Sequence, residues 1–204
     1  MPPSLLNIEK EQLKEEMNKS LNVLSEINPI ESLKKETVDS IYELSFLKIF
    51  LAWERFIERT FILYLRGEQT DNGYKPTSYV SPKDENHAYD IIKGGFRYPD
   101  WLNLEFIREK ADLFFDKGLP FKDVLYNNTT IKKVLQQMKK IRNRIVHASQ
   151  NSIREYEELL RDEFGAVLNI SPGEFLAKKY EDENISYIDY YKQILELASD
   201  KLIQ

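Results

Sequence analysis

Apolar positions recur along most of the chain at steps of three and four residues, the spacing of helices with one buried face. From about Leu5 to Glu26, the residues Leu6, Leu13, Met17, Leu21 and Leu24 mark such a face opposite a strongly charged one. Asn28-Pro29 closes this helix, because the residue before a proline is pushed out of helical geometry. A second, longer helix is expected from about Glu31 to Leu65. Its apolar residues become dense from Ile41 onward, through Phe46, Leu47, Phe50, Trp53, Ile57, Phe61 and Tyr64, which makes it the central core helix.

Gly67 to Asp84 is polar and rich in turn formers, and reads as a long loop. Tyr74, Lys75, Tyr79 and Lys83 within it read most simply as solvated, with contacts to RNA bases and phosphates as the sharper alternative. Asp84–Lys93 predicts a short helix ending at Gly94-Gly95, and no Gly-Lys-Ser/Thr pattern accompanies that pair to make a phosphate loop. His87 has no partner at metal or triad spacing and reads as structural or solvated. After an aromatic turn at Phe96 to Asp100, Trp101–Phe115 is helical again and ends at Lys117-Gly118-Leu119-Pro120.

Ile131 to Ser149 predicts the next helix, on Ile131, Val134, Leu135, Met138, Ile141 and Ile145, with Asn127-Asn128 or Thr129 and Thr130 to cap it. Ile153–Phe164 follows and stops at Gly165, and Ser171-Pro172-Gly173-Glu174 has the form of a helix start. The last helix, about Ile185–Leu202, carries Tyr187, Tyr190 and Tyr191 on a stripe that reads as core or dimer contact. Strand signals are nearly absent. The expected fold is all-α, one domain over residues 1–204.

Composition narrows the chemistry. At 42% hydrophobic and 31% charged residues the balance is that of a soluble globular protein. No run approaches a membrane span, and MPPSLLNIEKEQ lacks a signal-peptide pattern. There are no cysteines, which excludes disulfides and thiolate metal sites and makes a cytoplasmic home the expectation. Two histidines also argue against a histidine-rich zinc site, so no cofactor or metal is expected. Net charge is −5, against a protein coated in positive charge for nucleic acid. Yet Lys132, Lys133, Lys139, Lys140, Arg142 and Arg144 lie between Ile131 and His147 with no acidic residue among them, which reads either as a local anion site or as a solvated face.

Two residues on that helix stand out. At about 100° per residue, Arg142 falls among the apolar positions, where a guanidinium is costly to leave unpaired. His147 falls roughly 140° away from it, on the face of Gln136, Lys140 and Asn143. Singly, Arg142 also reads as a snorkelling or salt-bridged side chain, and His147 as a solvated residue favoured by the helix dipole. On the second helix Glu54 lies within the stripe of Phe50, Ile57 and Phe61, a carboxylate as anomalous as Arg142. A Glu54–Arg142 pair would resolve both anomalies, with Glu43 the competing partner.

Arg142-Asn143-x-x-x-His147 resembles the R-x(4–6)-H motif of the HEPN superfamily, small all-α domains that include metal-independent RNases. The earlier segment Leu51-Ala52-Trp53-Glu54-Arg55-Phe56-Ile57-Glu58 also resembles HEPN domains. The resemblance covers a core of about residues 31–149, with helices at 5–28 and 153–202 added to it. It implies an endoribonuclease in which the ribose 2′-hydroxyl attacks the adjacent phosphate, leaving a 2′,3′-cyclic phosphate and a 5′-hydroxyl. Arg142 would stabilise the transition state, and His147 would move protons. Asn143 would orient imidazole or phosphate, and Lys139, Lys140 and Arg144 would hold flanking phosphates. Because one helix does not readily bring Arg142 and His147 to a single phosphate, the family's two-fold homodimer with a shared cleft is part of this expectation. RNA is the expected substrate, in a toxin–antitoxin or phage-defence setting with an antitoxin or defence partner. The rival expectations are an inactive RNA- or nucleotide-binding module and a partner-binding helical module. Some relatives carry a tyrosine two residues after the histidine as a modification target, where this chain has Ser149.

Overall fold

Helix starts follow the side chains able to satisfy unpaired backbone N–H groups. Helix α1 spans Leu5–Ile27, α2 Lys35–Leu65, α3 Glu85–Lys93 and α4 Leu104–Phe114. The remaining helices are α5 Thr129–Val146, α6 Gln150–Phe164, α7 Pro172–Ala177 and α8 Tyr187–Leu202. Ser4, Asp84, Asn103, Asn128, Ser149 and Ser171 each accept a backbone N–H from the first turn of the helix they precede. Gly165 closes α6 at φ 71°, a left-handed conformation that suits glycine. Asn103 starts α4 three residues later than the apolar pattern predicts, because its side chain accepts from Glu105 N. This is a computed structural model, and it describes residues 2–27, 30, 32–95, 97–180 and 184–204. Asn28-Pro29 and Glu31, expected at the first two helix boundaries, and Phe96 of the expected aromatic turn lie outside the described residues.

The all-α expectation holds. Among the described residues the only extended pairings are two isolated bridges, Ser78 with Phe115 and Lys179 with Ser186. Between α4 and α5 lies a wide π-helical turn at Lys122–Asn127. Among the described residues no helix is long and apolar enough to cross a membrane.

The chain gathers into two compact units. The first comprises Met1–Glu15, Ala52–Lys132 and Leu195–Gln204. Its core is aromatic: the Phe61 ring has the rings of Trp101, Phe115 and Phe121 within 4.7–5.3 Å, in tilted and edge-on arrangements. The loop after α2 is tied to this core. Tyr79 N donates to Phe114 O and Asp116 N to Thr77 O, both at 2.9 Å, and the Tyr74 ring meets Tyr64 edge-on. Tyr79 is exposed but donates its hydroxyl to Asp116 at 3.0 Å, and Lys75 and Lys83 are exposed.

The second unit comprises Glu16–Leu51 and Lys133–Ile194. Here α7 lies directly on α2. Ser171 Oγ donates to Asp39 Oδ2 at 2.8 Å, and Gly173 N donates to Glu43 Oε1 at 3.2 Å. A polar network lies behind α5. Glu163 accepts from Gln137 at 2.7 Å and from Tyr187 at 3.2 Å, pairs with Lys133 at 2.9 Å, and Tyr191 donates to the far side of Gln137. The expected core role of the α8 tyrosines holds for Tyr187 and Tyr191, both buried.

Candidate functional site

Helix α5 buries Ile131, Val134, Leu135, Met138 and Ile141, and there its buried stripe ends. Ile145 is half-buried and Val146 exposed, so the last turn of α5 stands at the surface. Arg142 is therefore half-buried rather than sunk in the apolar face. The wheel placed it correctly by angle, but the core that would have enclosed it stops one residue earlier.

The same early ending changes His147. α5 stops at Val146, and only His147, Ala148 and Ser149 separate it from α6. Backbone bonding continues one step further, with His147 N donating to Asn143 O at 2.9 Å. The imidazole lies outside the helix proper, exposed, with Nε2 3.1 Å from Arg142 Nη1. A guanidinium has only donors, so Nε2 is the acceptor, and the neutral ring carries its proton on Nδ1. Arg142 Nη1 also donates to Asn143 Oδ1 at 3.3 Å. The expectation that one helix keeps Arg142 and His147 apart is thus corrected. The arginine is long enough for its Nη1 to reach Nε2 of His147 from the last turn of the helix, despite about 140° of helical separation.

The third element fixing this corner was not anticipated. Ser152 is buried on the first turn of α6, and its hydroxyl lies 2.6 Å from His147 O and 2.8 Å from Ser149 O. Ser149, exposed, uses its own hydroxyl to cap α6 by accepting from Ser152 N at 3.2 Å. The signal in the sequence is the three-residue spacing from Ser149 to Ser152, a cap and the third helical position, placed just after the histidine.

The expected phosphate-binding cations are placed less favourably. Lys140 pairs with Glu158 at 3.5 Å, and Lys133 with Glu163, so α6 supplies carboxylates to the basic face of α5. Arg144 is half-buried within the electrostatic reach of Glu43 and Tyr156. Glu43 itself is held above the usual carboxylate range, chiefly by desolvation and partly by the charge of Asp39, against the lowering effects of Gly173 N–H and Arg144. Burial likewise holds the Tyr156 phenol well above its ordinary value, and its hydroxyl donates to Ser171 O at 3.0 Å. Glu43, named as a rival partner for Arg142, thus sits in the field of Arg144. Lys139 is half-buried on the turn before Arg142. Glu54 is half-buried on α2.

An imidazole nitrogen that accepts from a guanidinium can take a proton, and the guanidinium can donate to an anionic oxygen. That pairing suits reactions at a phosphate. No family model matches the chain, and comparison with curated proteins and with solved structures likewise finds no match.

Proposed function

We propose that the chain is a metal-independent endoribonuclease of HEPN type, acting in a toxin–antitoxin or phage-defence setting. The observation that carries this reading is the 3.1 Å approach of Arg142 Nη1 to His147 Nε2 at an exposed helix end. A phosphodiester entering there would draw the donors of Arg142 to its non-bridging oxygens, releasing Nε2 to accept a proton. The ribose 2′-oxygen attacks phosphorus as its proton passes to Nε2 of His147. Arg142 stabilises the negative charge that builds on the phosphorane oxygens. The bond from phosphorus to the 5′-oxygen then breaks, and the imidazolium returns the proton to that oxygen. The products are a 2′,3′-cyclic phosphate and a 5′-hydroxyl. Asn143 supports the site by accepting from Arg142, and Lys139, half-buried on the turn before it, is a further cation for a flanking phosphate.

The reading keeps a homodimer, but not because one protomer lacks the means to bring the two side chains together. An antitoxin or defence partner would restrain the activity. The test is cleavage of an end-labelled RNA in EDTA by wild type, Arg142→Ala and His147→Ala, with end-group analysis. Cyclic-phosphate ends are expected from wild type, with losses of about a hundredfold or more in each variant. Cutting that survives in both variants sinks the site assignment. Binding of RNA without cutting would leave the chain as a binding module.

A further inference from the structure

We infer that Ser152 is a positioning residue for His147, an inference that rests on the RNase reading of this site. An exposed imidazole on a three-residue link would ordinarily sample many orientations, and a general base has to meet its proton within hydrogen-bond reach. The structure gives His147 three tethers. Its backbone N–H remains in the last helical bond of α5, to Asn143 O at 2.9 Å. Its ring accepts from Arg142 at 3.1 Å. Its carbonyl faces the Ser152 hydroxyl at 2.6 Å, the shortest of the three. Ser152 is 3% exposed, so water does not readily replace that hydroxyl.

Serine here does something a helix cap does not require. The cap of α6 is made by Ser149 Oγ accepting from Ser152 N, a backbone donor that any residue but proline supplies. The Ser152 hydroxyl is additional to that bond: it lies 3.2 Å from Ser149 Oγ and 2.8 Å from Ser149 O, and its shortest contact is to His147 O at 2.6 Å. It ties the carbonyl of the catalytic histidine to the first turn of the next helix, and so fixes the bend at which the imidazole leaves α5. Removing it leaves α6 capped and Arg142 in place, and frees the backbone that aims Nε2.

The two histidines of the chain offer an internal comparison. His87 Nδ1 accepts from Lys83 N at 3.1 Å, which leaves its proton on Nε2, the reverse of His147. Long-range proton–nitrogen correlation spectra of the full chain, labelled at histidine nitrogen, should therefore show one ring of each tautomer. With Ser152→Ala, the His147 pattern should move toward an average of both tautomers while His87 stays unchanged. RNA cleavage should lose about tenfold to a hundredfold in kcat with KM little altered, the scale of a misplaced catalytic group. Ser152→Thr, which keeps the hydroxyl, should retain the wild-type pattern. Ser171→Ala removes a cap of similar kind from α7 and should leave the His147 ring unaffected. Should Ser152→Ala fail to fold, Ser152→Cys fills the same space with a weaker donor and should show the same averaging. An unchanged His147 pattern in the Ala or Cys variant overturns the inference, as does an equal change in Ser171→Ala. Absence of cleavage by wild type overturns the RNase reading instead, and the spectra alone then decide whether Ser152 holds His147.

Discussion

Glu43 shows how a single side chain can couple burial to pH. Its carboxylate lies half-buried on α2, accepts from Gly173 N, and is pushed above its usual pKa mainly by desolvation. A raised carboxyl pKa means that the folded chain keeps a proton which the unfolded chain releases. Between the ordinary value, about 4.3, and the raised one, the folded state binds more protons, so stability falls as pH rises through that window. Above the window the cost is complete. Glu43→Gln keeps an oxygen to accept from Gly173 and removes the titration. Relative to wild type it should be more stable at neutral pH, with the advantage vanishing as pH drops below about 4. Urea midpoints at both pH values test this, and an advantage that grows in acid would contradict it. From sequence, Glu43 stands out only as a competing partner for Arg142. That α7 would place Gly173 N–H against it depends on a fold-back of some 130 residues, which no local pattern encodes.

At the scale of the element, the helices and most of their starts were legible because caps are chemistry of single residues. Asp84, Asn128, Ser171 and Gly165 stand where the sequence places them. The end of α5 was not legible. No Gly or Pro marks it, and the apolar period runs through Ile145, so the pattern carries the helix to Ser149, three residues past its end at Val146. Two glycines illustrate the same divide. Gly165 needs glycine for its positive φ, and a Cβ there would meet open space. Gly173 has no such φ, yet a Cβ there would lie 2.1 Å from Asp39 O, since α7 packs its backbone against that of α2. Gly173→Ala must therefore lift α7 from α2 and strain the bonds to Asp39 and Glu43. It should cost roughly 2–3 kcal/mol, the upper part of the roughly 1–3 kcal/mol that overpacking typically costs. Gly165→Ala should cost about 1 kcal/mol, the penalty of a left-handed residue with a Cβ. Chemical denaturation of the two variants checks the order, and a Gly173→Ala chain as stable as Gly165→Ala would mean that α7 does not hold to α2 in solution.

For the whole molecule, the decisive quantity is how much of its positive charge remains available to a polyanion. The chain is acidic overall, at −5, and its basic residues on α5 are largely engaged. Lys133 pairs with Glu163 and Lys140 with Glu158, Lys132 rests over the Tyr126 ring at 3.7 Å, and Arg144 lies in the field of Glu43. In the proposed site, Arg142 and Lys139 are the cations directed to phosphate. Single-stranded RNA bound through about two cations should lose affinity with a log–log salt slope near −1.4, far shallower than for a protein that coats RNA in lysine. On the proposed reading such binding is weak, because the site captures one phosphodiester rather than a long tract. Glu158→Gln should release Lys140 and steepen the slope by about 0.7, with no change at Arg142 or His147. Fluorescence anisotropy of a labelled RNA across a salt series, using His147→Ala to prevent cutting, measures both slopes. A wild-type slope steeper than about −3 would require four or more released counterions. That is more than the end of α5 supplies, and it would place RNA on a different surface of the protein.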